Sequence, residues 1–264
     1  MKVVLFCGGL GTRLKEYSET IPKPMAEIGP RPIMWHLMKY YAHFGHNEFI
    51  LCLGYRGDYI RDYFLHYNEC LSNDFTLSDG GRTIQLYNRD IADWKITFAD
   101  TGLNSNIGQR LVAARKYLGD DPVFMANYTD GLSDLNLHQY VEFFNRQNKV
   151  ASFLSVRPSA TFHTVASNCD GTVTQIDDVR NTDLHINGGY FILRQEIFDY
   201  IRPGEELVLE PFQRLIAEQQ LITQKHRGFF GSMDTFKEKR MFDDMVARGD
   251  MPWAVWDEHS TMGK

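Results

Sequence analysis

The stretch from Val3 to Leu53 constrains the fold most, because its apolar spacing changes twice and each change is punctuated. Val3-Val4-Leu5-Phe6 is a short apolar run closed by glycines, Pro32 to Phe44 carries apolar residues at helical spacing, and Phe49 to Leu53 is a second apolar run. A strand, a crossover helix and another buried strand imply a parallel, right-handed unit. The expected class is α/β, with a Rossmann-like mixed, mainly parallel sheet flanked by helices.

The same rhythm continues downstream. Asp58 to Tyr67, Gly108 to Leu118, Leu137 to Gln147, Pro211 to Gln219 and Thr235 to Arg248 read as helices, while Pro122 to Asn127, Val150 to Val156 and Tyr190 to Leu193 read as strands. Between Asn68 and Asp100 the pattern breaks into short alternating pieces, Thr83 to Tyr87 and Lys95 to Ala99, around Asp79-Gly80-Gly81. That predicts a small antiparallel excursion. Turn residues dominate Arg157 to Asp183, and no linker or repeat is visible, so residues 1–264 are expected to form one domain.

Composition removes several classes of function. A chain of 264 residues, 43% of them apolar, can bury a single large core without a disulfide or metal staple. Its four cysteines, Cys7, Cys52, Cys70 and Cys169, show no paired-ligand spacing, a pattern expected of the reducing cytoplasm. Lys and Arg number 28 against 34 Asp and Glu, a net charge of −6 with no basic block, which argues against a nucleic-acid partner. Neither a charged leader nor a span-length apolar run is present, so export and membrane insertion are not expected.

Chemistry is concentrated at Cys7-Gly8-Gly9-Leu10-Gly11-Thr12-Arg13-Leu14, directly after the first strand. Glycines let the backbone approach a ligand so that N–H groups reach phosphate oxygens, and Arg13 adds a planar charged fork. A dinucleotide fingerprint fits badly because Leu14 stands where the third glycine is required, and a P-loop lacks its Gly-Lys-Ser/Thr. Farther on, Ile21-Pro22-Lys23-Pro24-Met25 sets a lysine between two prolines, which stiffen the backbone on both sides. Alone, Lys23 reads as a solvated side chain in a stiff loop; beside the glycine loop it reads as catalytic.

These two motifs, followed in order by Gly54-Tyr55-Arg56-Gly57, Asp100-Thr101-Gly102, Gly108-Gln109-Arg110, Asp130-Gly131, Asn187-Gly188-Gly189-Tyr190 and Met233-Asp234-Thr235, resemble the signature of the sugar-phosphate nucleotidyltransferases. The glucose-1-phosphate cytidylyltransferase branch is the most similar. The resemblance implies the nucleotidyltransferase fold, with CMP transferred from CTP to a sugar 1-phosphate, pyrophosphate released and Mg2+ as cofactor. It implies that Gly8, Gly9, Gly11, Thr12 and Arg13 hold the nucleotide phosphates, that Thr101 and Gly102 lie near the nucleotide, and that Arg110 faces substrate. Lys23 would neutralise charge at the phosphorus under attack, with Arg13 and Asp130 as the other catalytic groups. Asp130 and Asp234 would be the magnesium pair, since two hard oxygen donors completed by phosphates suit magnesium better than zinc. Without the resemblance, Asp130-Gly131 reads equally as a turn and Asp234 as a helix cap. Asn187, Gly188 and Glu210 fall on the acceptor side, and the resemblance also implies a cytoplasmic homo-oligomer.

Three acceptor-side positions depart from the family pattern. Asp178 stands where the family carries the lysine of a Glu-Lys-Pro segment, His163 replaces a glycine, and Val208 replaces a glutamate. Reversing one unit charge beside a phosphate changes the interaction by about 2 kcal/mol or more, so Arg180 is the candidate replacement and a different phosphorylated acceptor is an open expectation. The alternative function is a catalytically silent regulatory subunit that binds a nucleotide or sugar phosphate. Retention of Arg13, Lys23, Asp130 and Asp234 argues against it; loss of the lysine argues for it. A glycosyltransferase would carry Asp-x-Asp after its central strand, where Tyr128-Thr129-Asp130 stands.

Overall fold

The apolar run Val3–Phe6 forms strand β1, every residue of it buried, and the rest of the sheet is built outward from it. The computed structural model describes residues 1–9, 21–158 and 162–257. On one side β1 pairs in parallel with β2 (Glu48–Leu53), which pairs in parallel with β3 (Lys95–Asp100). On the other side β1 pairs in parallel with β4 (Val123–Tyr128), in a register that sets Phe6 beside Tyr128. Beyond β4 lie β6 (Phe191–Arg194), antiparallel, then β5 (Ala151–Val156) and, parallel to β5, β7 (Leu221–Lys225). The short strand Ile186–Asn187 joins the far end of β5 as the eighth member.

Side-chain alternation along β1 divides the core in two. Val3 and Leu5 face a layer that includes α1 (Ile33–His43), α4 (Leu137–Gln147) and α6 (Phe236–Ala247), the last through Phe242 and Met245. Val4 and Phe6 face α3 (Ile107–Leu118) and α5 (Glu210–Ala217). A further helix, α2 (Gly57–Leu65), inserts Ile60 into the first layer. Helices on both faces explain why the central strands are apolar throughout instead of alternating. No helix among the described residues is long and apolar enough to cross a membrane.

Two segments differ from expectation. Lys95 to Ala99 is not part of the antiparallel excursion but the parallel edge strand β3, in register from Glu48 beside Lys95 to Leu53 beside Asp100. Its alternation reflects half-burial at a sheet edge, which carries no information on strand direction. The excursion itself is present as the hairpin Phe75–Ser78 with Thr83–Leu86. Arg157 to Asp183 contains a second hairpin, His163–Ser167 with Val173–Asp178, where only turn residues were expected. Both of its strands are largely exposed, so no apolar face marks them in the sequence.

Candidate active site

Open α/β sheets bind ligands at the carboxyl ends of their strands, and three of those ends converge here on one guanidinium. Arg110, in the first turn of α3, is 2% exposed. Its Nη1 donates to Leu53 O at 3.2 Å after β2, to Thr101 Oγ1 at 2.8 Å and to Gly102 O at 2.9 Å after β3. Its Nη2 donates to Gly8 O at 2.9 Å after β1 and to Leu103 O at 3.2 Å. No carboxylate is among these partners, and burial lowers the guanidinium pKa from its ordinary value.

This clamp explains two glycines. A Cβ at Gly8 would lie 2.1 Å from Arg110 Nη1, and one at Gly54 would lie 2.8 Å from the same atom. Gly9, by contrast, has nothing among the described residues within 4 Å of an added Cβ. Proximity to Arg110 therefore requires glycine at 8, while position 9 is open to the cleft. The remaining loop residues of the motif, Gly11, Thr12 and Arg13, lie outside the described residues. Thr101 is buried, its hydroxyl donating to Leu53 O at 2.8 Å, and Gly102 turns the chain with a positive φ of 90°.

Lys23 begins a short 3₁₀ turn, Lys23–Met25, closed by Met25 N donating to Pro22 O at 2.8 Å and Ala26 N to Lys23 O at 3.1 Å. Pro24 and Met25 are buried and anchor the turn. The ammonium lies 2.6 Å from Asp130 Oδ2 and 2.9 Å from Asp234 Oδ1. Burial alone pulls a lysine pKa down, but the two carboxylates outweigh it and hold Lys23 above its ordinary value.

Backbone pairing brings the two acids together across a long stretch of sequence. Gly131–Ser133 pairs with Phe230–Ser232, setting Ser232 beside Gly131, and Met233 N donates to Asp130 O at 2.8 Å. The cap of α6 belongs to Thr235, in a reciprocal box with Glu238, so the Asp234 carboxylate is left to face Lys23. Both acids supply oxygen donors only, and among the described residues no group of three or more His, Cys, Asp or Glu converges as a metal cage. Two carboxylates flanking a point already filled by a cation fit a hard divalent ion that takes its other ligands from phosphates and water.

Two cavities meet at this floor. A cleft of about 350 Å³ runs from Gly8 and Gly9 past Lys23 to Ser105, Asn106 and Ile107. A smaller cavity of about 170 Å³ is lined by Asn187, Gly188, Phe230 and Ser232. Tyr128, Asp130 and Asp234 line both. Sequence reasoning did not single out Tyr128 or Glu206, which also lines the larger cleft and accepts from Ile107 N at 3.2 Å. No spacing signals either; Tyr128 was accessible only as the residue two before Asp130 on the same strand end.

The acceptor-side candidates divide, Asn187 and Gly188 lining the smaller cavity and His163, Arg180 and Glu210 lying outside both. Asn187 Oδ1 accepts from Gly189 N at 2.8 Å, and a Cβ at Gly188 would press on Val156 and Phe230. His163 sits directly across the exposed hairpin from Asp178. Arg180 donates through Nε to Asp178 Oδ1 at 2.9 Å and Oδ2 at 3.0 Å, and its Nη2 bonds the same carboxylate. These bonds hold the Asp178 carboxyl below the usual carboxylate range. Glu210 is exposed at the start of α5, and neither it, His163 nor Arg180 lines the two cavities.

A lysine facing two carboxylates, beside glycines at the carboxyl ends of parallel strands, defines an α/β protein built for phosphorylated ligands. The chain belongs to the nucleotidyl transferase family, whose model matches residues 2–229. It is 36% identical over 258 residues, 97% of this chain and 100% of the relative, to the probable glucose-1-phosphate cytidylyltransferase of Bacillus subtilis (strain 168). It is 33% identical, with the same coverage, to the glucose-1-phosphate cytidylyltransferase of Salmonella typhimurium (strain LT2). The fold is shared with HddC from Yersinia pseudotuberculosis complexed with GMP-PN, at a TM-score of 0.66 and 22% identity, covering 93% of this chain and 99% of that one. The protein is a nucleotidyltransferase.

Proposed function

We propose that this nucleotidyltransferase moves CMP from CTP to a sugar 1-phosphate, glucose 1-phosphate first among them, and releases pyrophosphate. The observation that carries the reading is the Lys23 ammonium between Asp130 and Asp234, on the floor shared by a nucleotide-sized cleft and a smaller cavity beside it. The larger cleft takes the nucleotide, with Gly8 and Gly9 in its lining and Arg110 holding the Gly8 carbonyl, while the resemblance assigns the phosphates to Gly11, Thr12 and Arg13 as well. Asn187 and Gly188 belong to the acceptor's cavity. The choice of cytosine and glucose follows the names of the relatives, at 36% and 33% identity.

The chemistry is an in-line displacement. An oxygen of the acceptor phosphate forms a bond to the α-phosphorus, the bond from that phosphorus to the bridging oxygen breaks, and pyrophosphate leaves with the electron pair. A phosphate monoester is already largely ionised near neutral pH, so no general base is required. Lys23 neutralises charge on the phosphorus oxygens, and both substrates are held facing each other across Tyr128. Asp130 and Asp234 would hold Mg2+, which supplies electrostatic stabilisation of the phosphate oxygens when bound. Within the same reading the chain acts as one domain, in a cytoplasmic homo-oligomer.

Pyrophosphate release with Mg2+, measured for CTP, UTP, dTTP, ATP and GTP against glucose 1-phosphate and other phosphate monoesters, tests the reading. The expected result is release with CTP and glucose 1-phosphate. Release with CTP and a different acceptor would keep the nucleotide chemistry and reassign the smaller cavity. No release with any pair would overturn the reading.

A further inference from the structure

Lys23 occupies the place a metal would take. Its ammonium is 2.6 Å from one carboxylate and 2.9 Å from the other, and its side chain is 15% exposed. The backbone on either side is fixed by Pro22 and Pro24 and by the turn's own hydrogen bonds, so only the side chain can yield. The carboxylates are equally fixed, Asp130 by the ladder Gly131–Ser133 with Phe230–Ser232 and Asp234 by its position one residue before the Thr235 cap. A divalent ion entering alone would meet an ammonium already bonded to both of its ligands and would be repelled by it.

We propose that Lys23 is an internal counter-ion that closes the Asp130–Asp234 pair to divalent metal until the phosphates of a bound nucleotide draw the ammonium away. The proposal rests on the reading of these two acids as metal ligands. Nucleotide oxygens entering the cleft that Gly9 and Lys23 line give the ammonium new partners, and the vacated carboxylates then accept the ion. Metal and nucleotide consequently bind with positive coupling, and by linkage each raises the affinity of the other by the same factor. Without nucleotide the site carries neither a bound metal nor two uncompensated acids.

The test follows Mn2+ binding to the full chain by electron paramagnetic resonance, with no turnover involved. Wild type should bind Mn2+ weakly alone and tightly with a CTP analogue carrying a methylene between the α- and β-phosphorus. Lys23→Met, with Lys23→Gln as a second variant and circular dichroism to check folding, should bind Mn2+ without nucleotide about tenfold or more tightly than wild type. Lys23→Arg keeps the charge and should stay near wild type. Equal nucleotide-free affinity in wild type and both neutral variants would overturn the counter-ion role while leaving the metal ligands in place. Failure of every form to bind Mn2+, even with the analogue, would overturn the metal reading and the proposal with it.

Discussion

The floor around Lys23 and the hairpin carrying His163 and Asp178 both hold opposite charges in contact, yet they are built in opposite ways. On the floor, Asp130 follows the buried strand β4, Lys23 sits in a turn anchored by buried Pro24 and Met25, and each ion pair joins distant parts of the chain, Lys23 to Asp130 and to Asp234. On the hairpin, Arg180 reaches back two residues to Asp178, and both strands are largely exposed. Long-range pairs on a buried scaffold fix where a ligand's charge must sit. A local pair on an exposed ribbon can be exchanged with little effect on the rest of the fold.

Breaking the floor should have the largest effect. Lys23→Ala is expected to lower turnover by about a hundredfold or more with unchanged circular dichroism, measured as pyrophosphate release. Next is Arg110→Met, which strips donors from four carbonyls and a hydroxyl and should cost about 3 kcal/mol in urea unfolding. If it unfolds at the wild-type midpoint, the clamp is not what joins the strand ends.

The buried side of the contrast also has a pH signature. His36 is buried in α1, its Nε2–H donating to Ile28 O at 3.0 Å and its Nδ1 accepting from Trp253 Nε1 at 3.3 Å. Burial pushes its pKa down to about 4, against about 6.5 when unfolded. Its neutral form therefore contributes stability that is fully present above about pH 6.5 and is lost as pH falls toward 4, roughly 3 kcal/mol in all. His36→Phe should flatten that part of a stability-against-pH curve relative to wild type. The smallest effect belongs to the hairpin: Asp178→Ala, outside both cavities, should leave the melting temperature and KM for either substrate unmoved. A matching rise in KM for both substrates would erase the distinction between the two regions.

The sequence disclosed the buried half of this molecule better than the exposed half, for a physical reason. β1, β2 and β4 are covered on both faces, so their apolar runs are continuous and unmistakable. Strand β3 and the His163–Ser167 hairpin are partly or wholly solvated, and their residues obey no single pattern. In the site, Lys23 was legible from its flanking prolines only together with the glycine loop, and Asp130 through resemblance, since a strand followed by Asp-Gly reads equally as a turn. Asp234 was legible only through resemblance, because its partner strand, Phe230–Ser232, is three residues long. Arg110 read as a substrate-facing cation, and it lines the larger cleft, but nothing in a linear sequence says that carbonyl oxygens at the ends of β1, β2 and β3 will also surround it.

That enclosure also makes the order of mutations matter. With Arg110 in place, alanine at 8 collides with the guanidinium at 2.1 Å and alanine at 54 at 2.8 Å, so neither glycine can be the first to change. Shortening residue 110 removes the collision at 8 but not the one at 54, whose Cβ would still lie 2.8 Å from Gly8 O, and it takes a donor from each of the four carbonyls. Positions 8 and 110 therefore form one epistatic unit, in which an evolving lineage must cross a destabilised intermediate whichever residue it replaces first, while glycine at 54 is required by the Gly8 backbone in either case.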